Sequence, residues 1–178
     1  LRRPELSRQL QIFEIDQPGP QAWKRNRLLE LKLEVPTSLK WVPVDFEVSG
    51  WWDELLKSGF DLKRPALVAS TGVSMYLTRS AIFEMLQQIA QLAPGSTLVM
   101  SFMLPIELAP PDVRPGIERA AAGARANGTP FLSFFRPEEL LALAIASSVS
   151  PHTVLAASPE SDERGWKLYT NARFGFSV

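Results

Sequence analysis

The sequence predicts an α/β fold, a doubly wound and mostly parallel sheet wrapped by helices, and three observations predict it. Short β-like runs alternate with amphipathic helical stretches along the chain, the order that builds βαβ units. Proline, glycine and asparagine punctuate the passages between them, at Pro18-Gly19-Pro20, Gly59, Pro94-Gly95 and Asn127-Gly128. One run, Pro65 to Thr71, is small and apolar on both faces, as in a strand buried inside a parallel sheet. The 178 residues suit one domain, residues 1–178. Hydrophobic residues make up 46% of the chain and charged residues 21%, a globular composition.

The first β-like run is Leu10-Gln11-Ile12-Phe13-Glu14-Ile15, and the prolines after Asp16 stop it and suit a helix entrance. A helix over about 21–33 would turn Ala22, Leu28, Leu29 and Leu33 inward and Lys24, Arg25 and Arg27 outward. The second run, Leu39 to Val44, closes on Asp45-Phe46-Glu47. Pro43 lacks an N–H for the ladder and places this strand at or near a sheet edge. Ser49 offers a cap for a helix from Trp51 to Lys57, with Asp53 and Glu54 in its first turn and Gly59 as its stop.

After the third run, Thr78 can cap a helix whose positions Ile82, Phe83, Leu86, Ile89, Ala90 and Ala93 form one apolar stripe, ended by Pro94-Gly95. Thr97 to Phe102 reads as the fourth strand. Five prolines (105, 110, 111, 115 and 130) then break up residues 105–135, where Ala120 to Ala126 is helical up to Asn127-Gly128; this stretch reads as an inserted lid. Pro137 opens a helix to about Ala146, and weak strands follow near 153–156 and 166–169.

Composition narrows the function. Nineteen basic and nineteen acidic residues give a formal charge of zero, against the basic stripe a phosphate-gripping nucleic-acid binder needs. The absence of cysteine excludes disulfides, a thiolate nucleophile and a cysteine zinc site, and the lone His152 cannot build a histidine metal site. No apolar run approaches the ~18 residues of a membrane span, and the opening Leu1-Arg2-Arg3-Pro4-Glu5 lacks the core of a signal peptide. A soluble, cytoplasmic enzyme or binding domain is expected, with no metal.

Ligands of open parallel sheets sit at the carboxyl ends of the strands. Asp16 follows the first strand and Asp45 the second, where a carboxylate can accept from a ribose diol or an exocyclic amine; acids there also serve as turn formers. Trp51-Trp52 is either a platform or packing, and Arg136 and Arg173 either reach an anionic substrate or are solvated. His152 reads as structural or exposed.

Four segments occur in order: Ile12-Phe13-Glu14-Ile15-Asp16-Gln17-Pro18, Val42-Pro43-Val44-Asp45-Phe46-Glu47, Thr71-Gly72-Val73-Ser74-Met75-Tyr76-Leu77-Thr78, and Ser133-Phe134-Phe135 with Pro137-Glu138-Glu139-Leu140. Over residues 3–145 they resemble the leucine carboxyl methyltransferase family and its bacterial small-molecule relatives, class I S-adenosylmethionine-dependent methyltransferases with a Rossmann-like sheet. The resemblance implies that Asp16 binds the cofactor ribose and that Asp45 and Phe46 hold the adenine. It implies that Thr71 and Gly72 lie beside the methionine part, with Thr71 in place of the family's glutamate, and that Tyr76 faces the pocket rather than packing as a buried aromatic under a helix. It implies too that the segment of Phe135 lies near the active site, so that Phe135 and the adjoining Arg136 are the candidate substrate contacts. The cofactor implied is S-adenosyl-L-methionine, and the acceptor a carboxylate or hydroxyl oxygen of a small molecule.

The family's glycine-rich loop and the strand before it find no match here. The expectation is a sheet incomplete at its amino-terminal side, with the native protein longer, or a homo-oligomer or other chain completing the sheet, and weak cofactor binding by these residues alone. The rival reading is a truncated, non-catalytic interaction domain. A dehydrogenase is disfavoured because no glycine-rich fingerprint follows any strand.

Overall fold

The computed structural model describes residues 9–48 and 50–147, together with the backbone of two short strands at 160–161 and 167–168. Ser49, His152, Arg173 and the run 153–156, singled out above, lie outside the described residues. The chain divides into two compact units, Leu1–Asp61 and Leu62–Val178.

The first unit is a β-α-β arrangement followed by a short helix: β1 (Ile12–Asp16), α1 (Pro18–Glu30), β2 (Leu39–Pro43) and α2 (Trp51–Lys57). The strands run parallel, with Glu14 beside Trp41 and Asp16 beside Pro43. Residues side by side in a parallel pair share a face, and successive residues alternate faces. Glu14 and Trp41 therefore mark one face, and α1 covers it: Gln21 Nε2 donates to the Glu14 backbone oxygen (3.0 Å) and to its carboxylate (2.7 Å). Lys24 pairs with the same carboxylate, and the Arg25 guanidinium lies 5.6 Å from the Trp41 ring centroid. Phe13 marks the opposite face, where the Phe60 ring meets it edge-on at 5.2 Å. Helix α2 packs against both strands, and Val42, Val44, Trp51, Trp52 and Leu55 are the buried apolar residues among the described residues of this unit. The pair Trp51-Trp52 is thus packing rather than a platform.

Two expectations need correction here. Helix α1 starts at Pro18, with proline in its first turn, and its one buried residue is Gln21, not an apolar stripe. Ala22 is exposed, Leu28 half-buried, Leu29 70% exposed and Leu33 43%. Polar tethers from Glu14, rather than leucines, hold this helix to the strands. At α2 the cap position is Gly50, in left-handed conformation (φ 87°), with no side-chain cap bond. Gly59 (φ 90°) ends this helix as the sequence suggests.

The second unit contains β3 (Leu67–Ser70), a 3-10 turn (Ser74–Tyr76), α3 (Arg79–Ile89), β4 (Thr97–Met100), a 3-10 turn (Ile106–Leu108), α4 (Arg114–Ala126) and α5 (Pro137–Ser147). Strands β3 and β4 are parallel, Leu67 beside Thr97 and Ser70 beside Met100. The Thr78 hydroxyl caps α3 by accepting from Ala81 N, 3.2 Å away. Ile82, Met85, Leu86 and Ile89 form its buried stripe, and α5 packs against it. The strand β3 is not buried on both faces: Leu67 is 72% exposed, because β4 is its one strand neighbour among the described residues. Helix α4 begins at Arg114, ahead of the expected Ala120, because Pro115 suits the first turn; it buries no residue. Two short antiparallel strands, β5 (Glu160–Ser161) and β6 (Lys167–Leu168), close the described chain. Among the described residues no helix is long and apolar enough to cross a membrane.

Candidate functional site

In the first unit the site residues are placed by the strand pair itself. Because β1 and β2 are parallel, their carboxyl ends lie at one edge. Asp16 is the last residue of β1, and its backbone oxygen accepts from Val44 N at 2.9 Å, one position before Asp45. The two acids therefore stand at adjacent strand tips. Each is braced by its own chain: Asp16 Oδ1 accepts from Gln17 N (2.8 Å), and Asp45 Oδ1 accepts from Glu47 N (3.0 Å), an Asx turn. Neither Oδ2 has a hydrogen-bond partner among the described residues. The Phe46 ring rests at 5.9 Å from that of Trp51, which fixes an apolar surface beside Asp45. Two carboxylates, each with an unengaged oxygen, next to an aromatic ring match the donor-rich edge of a nucleoside. The described residues thus fit such a group.

In the second unit the exit of β3 carries Thr71 and Gly72, both exposed. Gly72 adopts φ +72°, open to glycine and costly for other residues. Its N–H donates to Ser101 Oγ (2.8 Å), just past β4. Ser74, buried, donates through its hydroxyl to the Ser101 backbone oxygen at 2.8 Å.

Tyr76 is 41% exposed, its ring edge-on to Phe131 at 5.4 Å, so it is not packed away beneath a helix. The segment 131–136 is fastened beside it. Leu132 N donates to Met75 O (2.6 Å), the Ser133 hydroxyl to Leu77 O (2.6 Å), and Phe135 N to Met103 O (2.9 Å). The structure therefore brings Tyr76 and the Ser133–Phe135 strip together in this unit.

Phe135 is 1% exposed, with the Arg79 guanidinium 4.5 Å from its ring centroid. Arg136 is exposed and occupies the position before α5. Its N–H donates to Glu139 Oε2 (2.9 Å), the half of a capping box that the third residue of the helix supplies, while arginine at 136 cannot supply the other half, which an aspartate or serine there would make. That backbone bond, aided by the Arg79 and Arg136 charges, holds the Glu139 carboxyl below the usual carboxylate range. Arg79 also donates to Phe134 O at 3.0 Å.

Sequence reasoning missed Ser101 and Arg79, whose roles are made by bonds spanning 27 and 55 residues, and it placed Ser133 in a family segment without its bond to Leu77 O, 56 residues away. Ser101, directly after β4, was the one available signal, since ligands of such sheets sit at the strand exits.

The model of the leucine carboxyl methyltransferase family matches residues 1–90. Among curated proteins, YktD of Bacillus subtilis (strain 168), described as a candidate S-adenosyl-L-methionine-dependent methyltransferase, is 31% identical over 140 residues, 78% of this chain and 46% of that protein. A protein of Mycobacterium tuberculosis (strain H37Rv) with the same description is 34% identical over 94 residues, 52% of this chain and 30% of its own length. The chain spans less than half the length of both relatives. Among solved structures, a DUF574 family protein from Streptomyces avermitilis superposes with a TM-score of 0.53 at 17% identity, covering 74% of this chain and 48% of that one. That likeness is one of fold, an α/β architecture with parallel strands.

Proposed function

This chain belongs to the leucine carboxyl methyltransferase family, and we propose that it serves an S-adenosyl-L-methionine-dependent methyltransferase that modifies a carboxylate or hydroxyl oxygen of a small molecule in the cytoplasm. The observation that carries the reading is the pair of carboxylates, Asp16 and Asp45, at adjacent tips of parallel strands with Phe46 alongside. The names of the two relatives, both described as candidate S-adenosyl-L-methionine-dependent methyltransferases, support it.

In this proposal Asp16 accepts from the ribose hydroxyls, Asp45 from the adenine amine, and Phe46 lies against the base. Each charge-assisted bond contributes about 1.5–3 kcal/mol. In the second unit Thr71 and Gly72 serve the methionine portion, with Thr71 offering a neutral hydroxyl. Tyr76 and Arg136 contact the acceptor, and Phe135 stiffens the strip beside it. Residues 105–135 form the lid that selects it.

When bound, the cofactor supplies an electrophilic methyl group, so the protein need furnish no nucleophile and no metal. A carboxylate acceptor is ionised near neutrality and needs no general base. For that acceptor, what remains for these residues is to bind, orient and exclude water, whereas a hydroxyl acceptor would also need a base to take its proton.

Calorimetric titration of the complete gene product with S-adenosylhomocysteine tests the reading. Saturable one-to-one binding that Asp16→Ala abolishes is expected. An intact, folded protein that releases no heat with this ligand would instead support a non-catalytic interaction domain, the reading that the neutral Thr71 favours.

A further inference from the structure

We infer that Ser101 is a positioning residue that sets the Thr71-Gly72 turn in the geometry a ligand meets, an inference that rests on the methyltransferase reading for the identity of that ligand. Ser101 lies one residue beyond β4 and bonds to the exit of β3 at three alternate positions. Its N–H donates to Ser70 O at 3.0 Å, its hydroxyl accepts from Gly72 N at 2.8 Å, and its backbone oxygen accepts from the buried Ser74 hydroxyl at 2.8 Å.

The first of these bonds continues the parallel ladder and would form with any residue but proline at 101. The second needs a side-chain hydroxyl. Without it the Gly72 amide, in a turn at φ +72°, has no protein acceptor. Glycine at 72 makes that conformation accessible but does not select it, because glycine visits both signs of φ about equally. Selection must come from outside the turn, and the Ser101 hydroxyl is the group that reaches it. Thr71 stands between the two points so fixed, Ser70 O and Gly72 N, so its exposed side chain inherits their placement.

The ligand class this turn suits is the amino-acid end of the cofactor, an ammonium and a carboxylate. Ser101 touches neither in this argument; it acts through Gly72 and Thr71.

The test compares Ser101→Ala with Ser101→Thr, which keeps the hydroxyl, in the complete gene product. Amide hydrogen exchange at Gly72 and titration with S-adenosylhomocysteine are measured alongside the melting temperature. Ser101→Ala should speed Gly72 exchange about tenfold and weaken binding about fivefold to tenfold, the loss of roughly one hydrogen bond. Ser101→Thr should restore both. If Ser101→Ala does not fold, Ser101→Cys carries the same comparison, since a thiol is a weak acceptor.

Unchanged Gly72 exchange in the alanine variant overturns the clamp. Faster exchange with unchanged affinity overturns its role in ligand placement. Wild-type protein that does not bind S-adenosylhomocysteine removes the methyltransferase reading, and the Gly72 exchange comparison still decides the clamp separately.

Discussion

The three strand exits that carry the candidate ligand contacts are built in two opposite ways. At the exits of β1 and β2 each acid is braced by an amide one or two residues along, Asp16 by Gln17 and Asp45 by Glu47. At the exit of β3 the bracing comes from far along the chain: Ser101 holds Gly72 and Ser74, and the strip 132–135 is bonded to Met75, Leu77 and Met103. The first kind of exit leaves carboxylate oxygens unspent and depends little on the rest of the unit. The second kind consumes its polar groups in cross-links, so it doubles as part of the core. A residue at the first should matter for binding and little for stability; a residue at the second should matter for both.

The sharpest way to break this contrast is Phe135→Ala. Removing a side chain that is 1% exposed, beneath Arg79, should cost about 3–5 kcal/mol in denaturant unfolding. A loss under about 1 kcal/mol would mean the strip is not part of the core.

Next in size is Asp16→Ala, expected to weaken S-adenosylhomocysteine binding by about 100-fold or more while shifting stability by no more than about 0.5 kcal/mol. A large stability loss with intact affinity would reverse the assignment of this exit.

Gly72→Ala sharpens the comparison from the other side. A Cβ at this position meets nothing within 4 Å, so the cost is the left-handed backbone alone, about 1–2 kcal/mol. A neutral result would show that the turn relaxes freely.

The smallest effect concerns Glu139. Its carboxyl is held below the ordinary range, chiefly by the Arg136 N–H and with help from Arg79. The unfolded chain therefore binds more protons between the two values, and the stabilisation, present above the unfolded pKa, fades as pH falls through the folded one. A small decline in melting temperature over that acidic window, absent in Glu139→Gln, is expected. Because the group is exposed, parallel curves for the two proteins would show that solvent screening cancels the interaction.

Much of the fold was legible because its signals are local. Thr78 capping α3, the Ile82–Leu86–Ile89 stripe and the Gly59 stop each rest on residues within a few positions of one another. Asp16 and Asp45 were legible as candidates for the same reason: each follows a β-like run, and parallel pairing then places both at one edge. The leucines of α1 misled, since Leu28, Leu29 and Leu33 read as an inward stripe while the structure anchors the helix through Gln21 and Lys24 to Glu14. A polar tether of this sort has no periodicity to detect. The small apolar run of β3 likewise reads as doubly buried, yet burial depends on what lies on each side, and one strand flanks it among the described residues.

The sequence by itself determined the order of strands and helices, the Thr78 cap and the Gly59 stop, and that two carboxylates follow consecutive β-like runs. Such features are set by backbone sterics, capping and side-chain alternation over a few residues. Only the tertiary structure decided that Ser101 fastens the Gly72 turn, that Ser133 and Phe135 tie a distant strip to Met75, Leu77 and Met103, and that Arg79 reaches Phe134 O. Those bonds join residues that the chain separates but the packed strands and helices place within about 3 Å, and a hydroxyl in sequence carries no mark of which amide or carbonyl it will meet.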